Sequence, residues 1–166
     1  MGDGGTTEPS RESRRTGVEL SAYYTPVTWL IVDADFAVSR ARFTDNDPVG
    51  DRIPGAVERV ASLGVAVNHP RGWFGGARLR YLGPGSLLED NTIRSRATTL
   101  VNLEAGYRFT AAIKGSVELL NAFDATGNDI TYFYESQLRG EAASVADIHF
   151  HPVEPRTLRA SLTLRF

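Results

Sequence analysis

The chain has 166 residues, 42% of them hydrophobic and 23% charged, and its 18 basic and 20 acidic residues leave a net charge of −2. That length holds one domain with a sizeable core, and so weak a field lacks the basic surface that bulk nucleic-acid binding requires. The absence of cysteine removes disulfides, thiolate nucleophiles and zinc–thiolate sites together. No stretch approaches the roughly 18 consecutive apolar residues of a membrane helix, but a membrane β-barrel, whose strands give half their residues to a polar lumen, stays open.

Residues 1–13 begin MGDGGTTEPS and offer neither the basic nor the apolar region of a secretory signal, so they are read as a flexible lead-in. From there the pattern has period two, the signature of strands. Val18, Leu20, Ala22 and Tyr24 alternate with Glu19, Ser21 and Tyr23. Leu30, Val32, Ala34, Phe36 and Val38 oppose a face holding Asp33 and Asp35. Ala61, Leu63, Val65 and Val67 form a third set. In the fourth, Trp73, Ala77, Leu79 and Tyr81 oppose Arg78 and Arg80. Val101, Leu103, Ala105, Tyr107 and Phe109 alternate with Asn102, Glu104, Gly106 and Arg108. Val117 and Leu119 lie opposite Glu118. Last, Leu158, Ala160, Leu162, Leu164 and Phe166 oppose Arg159, Ser161, Thr163 and Arg165. This gives about seven strands of about 9–13 residues, longer than the usual 5–6 of globular sheets.

The connections alternate short and long: 25–28, 68–72 and 110–112 are tight, whereas 44–55, 83–96 and 125–155 are long. Placing every long loop at one end is the habit of an outer-membrane barrel, with short periplasmic turns and long extracellular loops. Tyr24, Trp73, Tyr107, Phe109 and Phe166 fall near the short-turn ends, where an aromatic girdle would lie. The expected fold is therefore all-β, an antiparallel up-and-down portion of a transmembrane β-barrel. The competing reading is a soluble small β-barrel binding module with an apolar ligand such as a lipid or pigment inside. The two differ in whether Leu158, Leu162 and Leu164 face lipid or a buried core.

Leu119-Leu120-Asn121-Ala122-Phe123-Asp124 resembles the N-L-F-D element near the end of the penultimate strand in TonB-dependent outer-membrane receptors, with Ala122 where that family usually has Leu. Pro155-Arg156-Thr157 opening a final strand, the terminal Phe166, Arg14–Glu19 and Val101–Tyr107 are similar to family strands as well. The resemblance covers residues 14–166 and implies the C-terminal segment of such a barrel. The family's usual plug domain, coupling box and ~22-stranded barrel exceed this chain, and an odd number of antiparallel strands cannot close on itself. A C-terminal fragment, a truncated gene or a split subunit is thus expected, which would not transport alone. An autotransporter or adhesin barrel shares the terminal Phe but calls for an N-terminal helix or passenger.

The resemblance further implies a Gram-negative outer-membrane location and uptake of a small nutrient complex, such as a ferric siderophore or cobalamin. Implied partners are outer-membrane lipid, the barrel assembly machinery and, through the missing plug, the TonB energy-transducing complex. No enzyme activity, cofactor or nucleic-acid partner is expected. In the last long loop, Tyr132, Tyr134, His149 and His151 are candidate ligand contacts, although the favoured reading of Tyr132 and Tyr134 is that they pack along an extended strand arm rising above the membrane. His149-x-His151 has the spacing of a metal pair, but no third or fourth ligand is identifiable, so no metal site is expected. Asp33-x-Asp35 is read as a lumen-lining pair facing Arg78 or Arg80, and Gly75-Gly76 as a bend or close backbone approach. Leu162, Leu164 and Phe166 resemble the outer-membrane assembly signal at the end of a last strand.

Overall fold

The computed structural model describes residues 11–166. Nine strands form among them: β1 (Ser13–Val27), β2 (Leu30–Phe43), β3 (Arg59–Asn68), β4 (Trp73–Leu82), β5 (Thr98–Arg108), β6 (Ile113–Leu120), β7 (Asn128–Ser136), β8 (Val145–Pro152) and β9 (Thr157–Leu164). Seven make one antiparallel sheet in the order β1-β2-β3-β4-β5-β6-β9, while β7 and β8 form a separate two-stranded ribbon. The seven sheet strands are those read from the sequence. The ribbon occupies the connection 125–155, whose strands mix aromatic, acidic and imidazole side chains on one face and so lack a clean alternation. β1 and β2, at 15 and 14 residues, run further than expected because the pairing continues through Arg14, Thr16, Arg40 and Arg42. The first ten residues of the lead-in lie outside the described residues.

The ladder registers keep one parity across the sheet. Tyr24, Val32, Val65, Ala77, Leu103, Leu119 and Leu158 are successive partners across all seven strands. The neighbouring row, Tyr23, Asp33, Gly64, Arg78 and Asn102, lies on the other face. Directly opposed residues share a face, so one face of the sheet is apolar and the other polar. Nothing covers the apolar face: Leu158 and Leu162 are 69% and 67% exposed, and Leu20, Leu63, Leu103 and Val117 are exposed too. The only buried hydrophobic residues among those described are Ala41, Leu87 and Val153, which lie at the long-loop end. β1 and β9 are open edges. A soluble barrel with an apolar interior would bury Leu158, Leu162 and Leu164, so this arrangement opposes that reading.

Short turns close one end. Pro26 has no N–H to give the β1–β2 ladder, and the register slips between Tyr24 and Val27. Gly72 takes φ 95° in the turn between β3 and β4, and a Cβ there would sit 2.9 Å from the Arg108 carbonyl oxygen. Thr110 Oγ1 accepts from the Ala112 and Ile113 N–H groups at 3.1 and 3.0 Å. At this end Trp73 and Tyr107 meet edge to face at 4.8 Å and Tyr107 meets Phe109 at 5.3 Å, forming the expected aromatic belt.

On the polar face Asp33 pairs with Arg78, two strands away, through two 2.9 Å bonds, and Arg78 also donates to Ser62 Oγ. Gly64 lies between them in the ladder, and a Cβ there would come within 2.5 Å of the guanidinium. Arg80 sits opposite Ser62 and is left out of the pair. Both partners are partly exposed, so the expected Asp33–Arg78 coupling in a double-mutant cycle is about 1 kcal/mol. Denaturant unfolding in detergent should show that coupling vanish when Gly64→Val fills the gap; an unchanged value would remove Gly64 from the account.

Candidate functional site

The long-loop end begins with a buried knot after β6. Asn121 is 3% exposed and takes φ 45°, and Asp124 takes φ 53°, conformations that Asn and Asp tolerate better than other L-residues. The Asn121 N–H donates to Asn102 Oδ1 at 2.9 Å, and its Nδ2 donates to the carbonyls of Ala125 (2.9 Å) and Glu154 (3.1 Å). Its Oδ1 accepts from the Ala125 N–H at 2.9 Å, so the buried amide is fully used. Asp124 Oδ1 accepts from the Arg156 N–H at 3.1 Å. The segment resembling N-L-F-D thereby joins β5, the end of β6 and the approach to β9.

A second clamp fixes the foot of the ribbon. The buried Thr98 hydroxyl donates to the Asn128 carbonyl at 3.0 Å and accepts from its N–H at 3.1 Å. The Val153 N–H donates to the Gly127 carbonyl at 3.0 Å. Above these anchors Ile130 faces His151, Tyr132 faces His149 and Tyr134 faces Asp147. Tyr132, Tyr134, His149 and His151 thus share one ribbon face, and both tyrosines are exposed. The Tyr134 and His149 rings stack with centroids 3.8 Å apart and planes at 15°. His149 Nε2 lies 3.3 Å from the Tyr134 carbonyl oxygen, a hydrogen bond that places the proton on Nε2. His151 Nδ1 is 3.9 Å from Asp129. Among the described residues no three His, Asp or Glu side chains converge on a point fit for a metal ion.

Three clefts open at the ribbon's foot, one of them, about 430 Å³, beside Asp124–Asn128 and Phe150, and the other two facing the sheet and its loops. Of these two, the smaller, about 240 Å³, lies between β7 at Asn128–Tyr132 and the loops at Gly55–Val57 and Gly83–Leu87. The other, about 670 Å³, lies on the polar face, where Arg78, Arg80, Ser62, Thr98 and Asp129 line it. A planar or aromatic ligand could stack on the ribbon face, and polar groups could be met in the cleft below. Asp35 takes a 2.7 Å bond from Ser21 and has no place in any of the three. Leu162, Leu164 and Phe166 stand apart from this site, exposed on edge strand β9 at the short-turn end.

Sequence reasoning missed the ionic network that ties the loops together, because all its members but Arg42, near the end of β2, fall in irregular segments where no periodicity marks them. Glu58 accepts from Arg52 at 2.9 Å, Arg94 at 3.3 Å and Arg42 at 3.5 Å. Arg11 pairs with Asp45 and Glu89 and lies 4.2 Å above the Phe43 ring. The chain before β1 and the loops after β2 and β4 are therefore held as one body. The Arg11 hydrogen bond holds the Asp45 carboxyl below its ordinary pKa. Burial opposes the charge on Glu58, but the hydrogen bond from Arg94 and the charges of Arg94, Arg52 and Arg42 outweigh it and lower its pKa as well.

A protein-family model described as TonB dependent receptor-like, beta-barrel matches residues 3–128. Among solved structures, the ferric yersiniabactin uptake receptor of Yersinia pestis superposes with a TM-score of 0.74 at 23% identity, covering 93% of this chain and 24% of that one. The unliganded ferric citrate transporter gives 0.70 at 20% identity, covering 93% and 24%. The ferric preacinetobactin receptor of Acinetobacter baumannii gives 0.67 at 16%, covering 92% and 22%. At these identities the likeness establishes the fold, and the chain spans about a quarter of the length of the solved receptors it matches.

A carboxyl whose pKa is lowered by folding contributes stability above its unfolded value, and that contribution is lost as pH falls through the folded value. Amide exchange in residues 44–58 and 83–97, corrected for the intrinsic rate, should therefore stay flat from neutral pH to about 5 and rise below about 4.3. Glu58→Gln should exchange rapidly there even at neutral pH. The same acid response in that variant would move control to another carboxylate.

Proposed function

The chain belongs to the TonB-dependent receptor-like β-barrel family, and from that membership we propose that residues 14–166 form the C-terminal portion of an outer-membrane receptor barrel for energy-coupled uptake of a nutrient complex, such as a ferric siderophore or cobalamin. The observation that carries this is the uncovered apolar face running unbroken through seven strands, with the aromatic ribbon standing at its long-loop end. Eleven residues of β5 at ~3.4 Å each, tilted ~40°, rise ~28 Å, close to the ~25 Å apolar band of such barrels.

In this reading the apolar face meets lipid and the polar face lines the lumen. The long loops and the ribbon stand outside the cell. Tyr132, Tyr134, His149 and His151 touch the ligand, stacking on it and excluding water, and no bond is made or broken. The energy-transducing complex acts through a plug domain beyond this chain. Leu162, Leu164 and Phe166 present the edge strand to the assembly machinery, and the cell outer membrane is the place of action. The structural relatives include receptors for ferric yersiniabactin, ferric citrate and ferric preacinetobactin and also a copper transporter, which supports a metal complex as the class of ligand.

Two outcomes test the reading. Leu103→Arg, in the middle of the apolar face, should cost about 2–4 kcal/mol of stability in detergent or lipid, whereas Asn102→Arg on the polar face should cost under about 1 kcal/mol. Equal costs would place neither face in lipid. Intrinsic fluorescence of the detergent-folded chain should be quenched by one of a panel of ferric catecholate, ferric hydroxamate and cobalamin complexes. Tyr134→Ala and His149→Ala should each weaken that binding about tenfold, the share of a central stacking contact. Quenching that survives both substitutions would take the ribbon out of ligand recognition.

A further inference from the structure

Apolar-face positions of β1–β6 and β9 carry four charged residues, all of them arginine: Arg14 on β1, Arg40 and Arg42 on β2, and Arg59 on β3. All four lie beyond Val18, Val38 and Ala61 at the long-loop end. At the other end the same face carries Trp73, Tyr107 and Phe109 and no cation. Arg42 is taken by Asp51 and Glu58. Arg14, Arg40 and Arg59 are exposed, and among the described residues their side chains have no ion pair or hydrogen bond.

The registers set these three in a row. Thr16 faces Arg40, Arg14 faces Arg42 and Val38 faces Arg59, so Arg40 is diagonal to both Arg14 and Arg59. Diagonal neighbours lie roughly 7–8 Å apart, within reach of long side chains converging on one group. Just past the end of β4, the Gly83 N–H donates to the Arg59 carbonyl at 2.8 Å, and the glycine adds no side chain beside Arg59. Three like charges on adjacent strands repel unless an anion lies among them. Asp45, Asp51, Glu58 and Glu89 at this end are already engaged by Arg11, Arg42 and Arg52, which leaves Glu12, two residues before Arg14, as a single carboxylate beside three arginines.

We propose that Arg14, Arg40 and Arg59 form a binding site for the phosphate groups of a phosphorylated membrane lipid in the leaflet at the long-loop end. The row begins two residues, or ~7 Å, beyond the last apolar side chains, the depth at which headgroup phosphates meet hydrocarbon. The guanidinium fork matches phosphate oxygens, and the acyl chains of the same lipid cover Val18, Val38 and Phe36 below. The site rests on the apolar face lying in lipid.

The test uses the full chain folded in uncharged detergent micelles doped with phosphatidylcholine, phosphatidic acid or a fatty acid, with retained lipid counted by native mass spectrometry. Phosphatidic acid should be held in preference to both others, and each Arg→Gln substitution at 14, 40 or 59 should weaken its retention about fivefold. Arg71→Gln, in a turn at the opposite end, should leave retention unchanged. Equal retention in the triple variant, or equal retention of the fatty acid, overturns the site. Displacement by millimolar inorganic phosphate overturns its assignment to lipid. A chain that folds in micelles with its strands protease-resistant but shows no preference defeats this site and leaves the membrane reading standing. A chain that is folded and monodisperse without detergent defeats both.

Discussion

The structure depends on a single constraint, the unbroken parity of its ladder. Each strand contributes side chains alternately to two faces, and each register preserves the same choice, so Tyr24 at one edge and Leu158 at the other end one apolar row. A slip of one residue at any of the six interfaces would turn Leu and Val toward Asp33 and Arg78. The apolar face has no covering layer to resist such a slip by packing. The short turns, where Gly72 and Thr110 leave little choice of register, and the Asp33–Arg78 bridge across β3 do so instead.

The ends of the sheet divide the remaining work. The short-turn end is built from local hydrogen bonds and edge-to-face aromatics, which suit a boundary between hydrocarbon and water. The long-loop end is held by contacts distant in sequence: Asn121 to Glu154, Thr98 to Asn128, Arg94 to Glu58, Arg11 to Glu89. Order in those loops is electrostatic and polar. Among the described residues only Ala41, Leu87 and Val153 are buried hydrophobics, too few to order the loops by packing.

This division explains how much the sequence disclosed. Strand positions, the two faces, the placement of long loops and the aromatic belt all follow from period-two alternation, and Asp33 facing Arg78 follows once the strands are set side by side. The ribbon was legible as an extended aromatic arm at Tyr132 and Tyr134, but not its second strand or its pairing. Its faces mix Tyr with His and Asp on one side, and Phe with Thr and Glu on the other, so alternation by hydropathy fails even though pairing by backbone does not. The stacking of His149 on Tyr134, diagonal to it, and the convergence of three arginines on Glu58 depend on loop conformations that no local pattern encodes. Alternation marks only Val18–Tyr24 and Leu30–Val38, because arginines take the apolar-face positions above them, and Arg14–Glu19 was legible as strand only through its resemblance to the family.

The knot around Asn121 has a bearing on how such a protein can change. Every hydrogen bond that secures the ribbon's foot involves residues 98, 102, 121–128 or 152–156, and β7 and β8 otherwise pair only with each other. Residues between Asp129 and His151 can therefore be shortened, lengthened or replaced while β6 and β9 keep the same partners and the same register. Under the proposed function recognition is carried on an exchangeable cassette, so a lineage could acquire a new ligand preference without re-solving the folding problem of the wall beneath it.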